Sequence, residues 1–240
     1  MVSGSEVALR VGFGATLCLA PILLGLVAYT MTTQYGPLGK TPSWLEFKLH
    51  PLLMTLAFGF FGPLAAVCYK GLEPLGVSHS TAKFLHAFLM GSACLCALLG
   101  ILDMWLVHQK AGKAHLSSVH SLSGLPIACA FGLNFLLGLF SFTPLNSSGF
   151  INRAAIKPLH VFLGMCTVFG TLATVGTGVL SLQGGANIDG SPKIVLLKLA
   201  AMVVFALMAS IALVFFAASP RNKSATSATA GLSAVVPLID

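Results

Sequence analysis

Long stretches without any charged residue divide the chain into six segments. Charged residues border these stretches, and each stretch holds at least 19 uncharged and mainly apolar residues. A helix needs about 20 such residues to cross a hydrocarbon core roughly 30 Å thick. The pattern therefore predicts six membrane-spanning helices, which lie near residues 9–32, 50–70, 83–107, 116–140, 158–183 and 194–218.

Composition indicates that the solvent around this protein is lipid. Hydrophobic residues make up 56% of the 240 positions and charged residues only 8%, whereas soluble domains carry about a quarter charged residues. The sequence predicts an all-α membrane protein with one domain over residues 1–220. It also predicts a disordered tail over 221–240, which is rich in Ser, Ala and Thr. We expect the first segment to be a retained helix, because its apolar stretch exceeds a signal-peptide core.

The net charge of +7 favours contact with anionic lipid. The bases are scattered through loops and helix ends instead of forming one face, so nucleic acid is not a predicted partner. With a cytoplasmic N-terminus, seven loop bases would lie on the cytoplasmic side and five on the other. This difference favours a cytoplasmic N-terminus, since basic loops tend to stay inside.

Four histidines recur at a spacing of one helix plus one loop. His50, His86, His120 and His160 are separated by 36, 34 and 40 residues, and each falls near the predicted start of a helix, from the second to the fifth. Alternate helices run in the same direction across a membrane. We therefore expect His50 and His120 near one face of the membrane, and His86 and His160 near the other.

Two facing imidazoles are the axial ligands of a six-coordinate haem iron, which then has no open site for oxygen and carries electrons. One such haem near each face would form a two-step path across the bilayer. Gly124 and Gly164 follow His120 and His160 by four residues, on the same helix face, and would leave room for a porphyrin. From spacing alone, a proton relay, metal-ion transport, structural hydrogen bonding or a structural membrane subunit remain alternatives.

Short motifs around these histidines resemble the cytochrome b561 family. They read HPLLM at 50–54, KFLH at 83–86, VHS at 119–121 and KPLHVFLG at 157–164. The resemblance covers roughly residues 45–185. The sequence GKAHL at 112–116 is similar to the branch usually called cytochrome b561 domain-containing proteins.

The resemblance implies a homodimer of six-helix chains, each binding two haem b groups in a four-helix core formed by helices 2–5. It implies the same ligand pairs that the spacing indicates. It also implies electron transfer from cytoplasmic ascorbate to monodehydroascorbate or a ferric chelate on the other side. We expect a multi-pass protein, in an endomembrane in preference to the plasma membrane.

Candidate substrate residues follow from the same resemblance. Lys83 and Arg153 match, approximately, basic positions of the family near the cytoplasmic haem, and Lys157 is close by in sequence. Such bases would attract an anionic reductant. His108 and His115 precede the other histidine pair and could relay a proton or contact the acceptor.

The loop between helices 2 and 3 departs from the family pattern. It offers the bases Lys70 and Lys83 together with Glu73 and His79, where better-known members are richer in bases.

Overall fold

The computed structural model describes residues 3–34, 47–146, 149–182 and 192–217, and these residues contain helices and no strands. Within these residues, six helices are long and apolar enough to cross a membrane, which confirms the predicted number. They are α1 (Gly4–Gln34), α2 (Leu49–Leu75), α3 (His79–Lys110), α4 (Val119–Phe142), α5 (Arg153–Ser181) and α6 (Pro192–Phe216). The tail predicted over 221–240 lies outside the described residues.

The α2 span is not one regular helix. An α-helical start at Leu49–Met54 changes to a π-helix over Thr55–Phe61, and an α-helix resumes over Gly62–Leu72. A 3₁₀ turn at Glu73–Leu75 ends the span. The π-helical stretch is therefore located in the middle of the membrane segment, and such wide turns are often found near functional sites.

Contacts between helix ends show that neighbouring helices alternate in direction. Lys70, near the end of α2, donates from Nζ to the carbonyl oxygens of Phe215 (2.7 Å) and Ala217 (3.1 Å) at the end of α6. Gly71 lies against the ring of Phe13, near the start of α1. These ends form one surface, the N-terminal face. The surface at the other end of the bundle is the opposite face.

Small residues allow α1 and α6 to pack closely, and large ones cover the outside. A side chain at Gly12 would lie 2.7 Å from the Ser210 carbonyl oxygen, and the hydroxyls of Thr16 and Ser210 are 2.9 Å apart. Large apolar side chains remain exposed on the outer surfaces, including Phe205 at 72%. This arrangement suits a protein that presents apolar side chains to lipid.

Two of the helices that carry histidines begin four or five residues earlier than predicted, because capping side chains and not the charged residues mark their starts. The helix predicted at 158–183 begins at Arg153, since the Asn152 side chain accepts hydrogen bonds from the Ala154 and Ala155 N–H groups. The helix predicted at 83–107 begins at His79, where Ser78 caps the Thr81 N–H. Two of the four histidines are consequently deeper in their helices than predicted.

Candidate haem sites

The four regularly spaced histidines form two close pairs. The rings of His50 and His120 have centroids 6.0 Å apart and planes 86° apart. Those of His86 and His160 are 6.4 Å apart at 77°. The predicted pairing of alternate helices is therefore the geometry found. His50 and His120 are the second residues of α2 and α4, whereas His86 and His160 are the eighth residues of α3 and α5.

Hydrogen bonds fix the tautomer of one ring in each pair. His50 Nδ1 lies 2.9 Å from the Gly100 carbonyl oxygen, and His86 Nδ1 lies 2.9 Å from the Ala65 carbonyl oxygen. A carbonyl only accepts, so Nδ1 carries the proton of each neutral ring and Nε2 is left with a free lone pair. This is the state that a metal ligand requires.

The partner rings are held differently. His120 Nδ1 is 3.2 Å from Thr177 Oγ1, and that hydroxyl donates its own proton to the Thr174 carbonyl oxygen at 2.9 Å. The hydroxyl is therefore an acceptor toward His120. His160 Nδ1 is buried and has no hydrogen-bond partner among the described residues.

The ring spacing fits a metal held between each pair. Two imidazoles that bind one metal from opposite sides, through nitrogens about 2 Å away, have centroids about 6 Å apart. Both observed separations agree with this value. Each pair supplies two nitrogen ligands, the number that a haem iron takes from its protein when both axial positions are filled. The residues present thus fit a b-type haem at each pair.

Glycines leave space beside the ligand rings, and two of them, Gly138 and Gly178, are not among the glycines predicted from sequence. A side chain at Gly138 would lie 2.7 Å from His160 Cε1, and one at Gly178 would lie 2.9 Å from His120 Cε1. Of the two glycines singled out from sequence, Gly124 lines a cavity beside His120. Gly164 lies where α5 approaches Asn134 of α4, so its position is explained by helix packing.

Aromatic rings border the His86 and His160 pair. Tyr69 has its ring centroid 5.2 Å from that of His86 and 5.5 Å from that of His79. Phe142 lies 5.4 Å from His160. His79 is exposed at the start of α3, so Tyr69 separates the surface from the ligand ring.

The predicted basic residues lie at the N-terminal face in different settings. Lys157 is exposed and Lys83 is half-buried. The Arg153 guanidinium donates to the carbonyl oxygens of Ser141 (3.1 Å), Thr143 (3.5 Å) and Asn146 (3.4 Å), at the end of α4. Arg153 therefore stabilises the α4–α5 connection in addition to contributing charge to this face.

A cavity at the opposite face reaches the rings of His50 and His120. The predicted pair His108 and His115 lies in its wall, where His108 Nδ1 donates to the Ala114 carbonyl oxygen at 3.1 Å. Trp105 stacks on His115 with centroids 3.9 Å apart and planes at 16°. The further lining residues are Met54, Phe58, Ile101, Met104, Leu116, Ser121, Gly124, Leu125, Ile127, Ala128, Thr174 and Val175.

Sequence reasoning missed Tyr69, Phe142 and Thr177, which contact ligand rings, and Trp105, which lines the cavity beside them. Trp105 precedes His108 by three residues, a spacing that places both on one helix face, so it could have been noticed. Tyr69 and Thr177 carry no such signal, since single tyrosines and threonines are common in membrane helices.

Comparison with known proteins agrees with this geometry. Residues 49–183 match the family model described as eukaryotic cytochrome b561. The human transmembrane ascorbate-dependent reductase CYB561 is 33% identical over 165 residues, which cover 67% of this chain and 63% of the human protein. A probable ascorbate-specific transmembrane electron transporter of rice is 31% identical over 136 residues, or 57% of this chain and 56% of the rice protein.

The matched region of this chain spans less than two thirds of the length of either relative. Residues 49–183, which the family model matches, nevertheless contain all four paired histidines and the whole of α2 to α5. The family is one of haem b proteins, as the two-nitrogen donor sets suggest. Since the family model matches more than half of the 240 residues, this multi-pass membrane protein belongs to the eukaryotic cytochrome b561 family.

Proposed function

We propose that this chain moves electrons across the membrane through two haem b groups, one held by His86 and His160 and the other by His50 and His120. The observation that carries the proposal is the presence of two facing histidine pairs in one four-helix core, with ring centroids 6.4 and 6.0 Å apart. Bound haem supplies a reversible one-electron couple at its iron. His86 with His160, and His50 with His120, would each hold a haem iron through two ring nitrogens and leave no open site on it.

The distance between the pairs suits transfer across a bilayer in two steps. On α3, 14 residues separate His86 from Gly100, whose carbonyl contacts His50, which is about 21 Å at 1.5 Å per residue. On α5, 17 residues separate His160 from Thr177, which contacts His120, or about 26 Å. Together the sites extend over most of a hydrocarbon core roughly 30 Å thick.

We propose ascorbate as the donor at the N-terminal face, which the difference in loop bases favours as the cytoplasmic side. Lys83, Arg153 and Lys157 give this face positive charge close to the His86 and His160 pair, and an anionic reductant would be attracted there. The human and rice relatives are both named for ascorbate, which supports the same donor here.

At the opposite face, the cavity would admit the acceptor, either monodehydroascorbate or a ferric chelate. The stacked Trp105 and His115 rings offer a flat surface to a planar acceptor, and the lone pair left on His108 can accept a proton or hydrogen bond. The donor and acceptor would therefore meet the protein at separate ends, each beside a different histidine pair.

The haem content tests this proposal first. We expect the protein purified with haem available to hold two haems per chain by a pyridine assay, and His160→Ala or His120→Ala to hold one. Ser181 is exposed on α5, so Ser181→Ala should keep both haems and serves as the control. A folded wild-type protein without haem absorption would refute the proposal.

A vesicle assay tests direction. With ascorbate sealed at the N-terminal face and a ferric chelate outside, we expect chelate reduction that neither single-ligand variant supports. Intact haems without any transfer would show that another donor or acceptor is used. The homodimer is also proposed, and light scattering in detergent would measure its mass.

A further inference from the structure

Three aromatic rings connect the surface of the N-terminal face to a proposed haem ligand. His79 is exposed at the first position of α3. Its ring lies 5.5 Å from Tyr69, tilted by 42°, and the Tyr69 ring lies 5.2 Å from His86, tilted by 47°. A solvent-facing imidazole is thus only two ring contacts away from the site that would take up the electron.

The proposed donor reaction needs a base at this surface. Ascorbate is a monoanion at neutral pH, and it loses one electron and one proton when it becomes the monodehydroascorbate radical anion. Lysine and arginine side chains are already protonated cations at neutral pH, so Lys83, Arg153 and Lys157 can attract the donor but cannot accept its proton. A neutral imidazole has a lone pair on one ring nitrogen and can accept the proton.

We propose that His79 is the base that accepts the donor's proton as the electron enters the His86 and His160 site. The donor's O–H bond breaks, an N–H bond forms on the imidazole, and the donor's electron would pass to the haem iron that His86 and His160 would hold, which is the oxidant. The imidazolium then releases its proton to water. Tyr69 is a positioning residue that holds the His79 ring beside the ligand. This inference rests on the proposed function.

Two reductants separate proton acceptance from electron entry. Protein oriented in vesicles with its N-terminal face outward is mixed with ascorbate, which gives up a proton, or with dithionite, whose radical donates an electron alone. We expect His79→Ala to slow haem reduction by ascorbate about 100-fold, the usual size of a general-base effect, and to leave reduction by dithionite unchanged. Imidazole added to the buffer should restore the ascorbate rate in proportion to its concentration.

The neighbouring exposed residue supplies the control. Ser80→Ala removes a hydroxyl from the same turn and leaves the three rings of His79, Tyr69 and His86 unchanged. An unchanged ascorbate rate in His79→Ala, equal slowing with both reductants, or no rescue by imidazole would each overturn the inference. If wild-type protein contains no haem, the proposed function itself has failed. If haem content and reduction by dithionite are normal, a contradictory result concerns only the role of His79.

Tyr69 provides a second measurement that does not depend on changing the base. Tyr69→Phe keeps the ring, and we expect it to retain the ascorbate rate. Tyr69→Leu removes the ring contact and should slow ascorbate reduction, with less effect on dithionite. A Tyr69→Leu protein that is as fast as wild type with ascorbate would show that the Tyr69 ring does not position His79.

Discussion

The two histidine pairs occupy the same four helices, but their surroundings differ. At the N-terminal face, aromatic rings pack against both ligands, with Tyr69 on His86 and Phe142 on His160. At the opposite face, a cavity reaches His50 and His120, and Trp105 in its wall stacks on His115 instead of on a ligand. Packed aromatic rings separate the ligands from the surface at the N-terminal face, whereas an open cavity reaches the ligands at the opposite face.

This difference suits two different tasks. At the packed end the donor stays at the surface, and its electron enters at the His86 and His160 site. A cavity beside the ligands brings an acceptor close to the second site. The difference also follows from depth, because His86 and His160 lie two helical turns from their helix starts and His50 and His120 lie in the first turn.

The largest expected effect comes from removing one histidine ligand at either end of the protein. With donor at the N-terminal face, His160→Ala should abolish fast reduction of the remaining haem, because the entry site is lost. His120→Ala should leave the entry haem reducible but stop transfer to an external ferric chelate. Stopped-flow absorption and chelate reduction in vesicles measure the two steps. Identical behaviour of the two variants would contradict a fixed direction.

A smaller effect is expected from the cavity wall. Trp105→Ala removes the stacking surface on His115 and should slow acceptor reduction about fivefold, by the loss of one aromatic contact of about 1 kcal/mol. Reduction of the haems from the N-terminal face should not change. Leu102→Ala, on an exposed part of the same helix, is the matched control. If Trp105→Ala slows haem reduction and acceptor reduction alike, the cavity is not the exit.

Arg153 should affect stability as well as donor binding. Arg153→Ala removes hydrogen bonds to three carbonyl oxygens at the end of α4, and we expect the Tm to fall by about 2–4 °C, as for a loss near 1 kcal/mol. Lys157→Ala removes an exposed charge and should leave the Tm unchanged. Thermal denaturation in detergent measures both. A normal Tm for Arg153→Ala combined with a raised KM for ascorbate would leave Arg153 with a binding role alone.

The smallest effect concerns the Thr177 hydroxyl. Thr177→Val removes the acceptor of His120 Nδ1–H, which makes the ligand less basic and the ferric state less stable. We expect the potential of the His50 and His120 haem to rise by a few tens of millivolts, since a hydrogen bond is worth about 1 kcal/mol. Thr177→Ser should restore the wild-type value in a spectroscopic redox titration. A shift in the other haem alone would refute this assignment.

Much of the architecture could be predicted from sequence. The cost of placing charge in lipid confines charged residues to the membrane boundaries, so charge-free windows gave the number of helices. Alternation of helix direction then determined that His50 meets His120 and that His86 meets His160. Both results follow from patterns that extend over the whole chain.

Features that depend on single side chains could not be predicted in this way. The start of α5 depends on the Asn152 cap, whereas the charge-free stretch begins only after Lys157. The contact between Tyr69 and His86 depends on the rotation of α2 about its axis. That rotation is altered by the wide turns at Thr55–Phe61, which an apolar sequence does not reveal.

The π-helical stretch of α2 also limits how this protein can change over evolution. It separates His50 from Ala65, whose carbonyl accepts the hydrogen bond of His86, so a single helix contributes to both metal sites. Deleting or inserting one residue between them would turn one end relative to the other by about 100°. Substitutions within 55–61 are therefore far easier to accept than changes in length, and relatives that keep both sites should keep the number of residues in this interval.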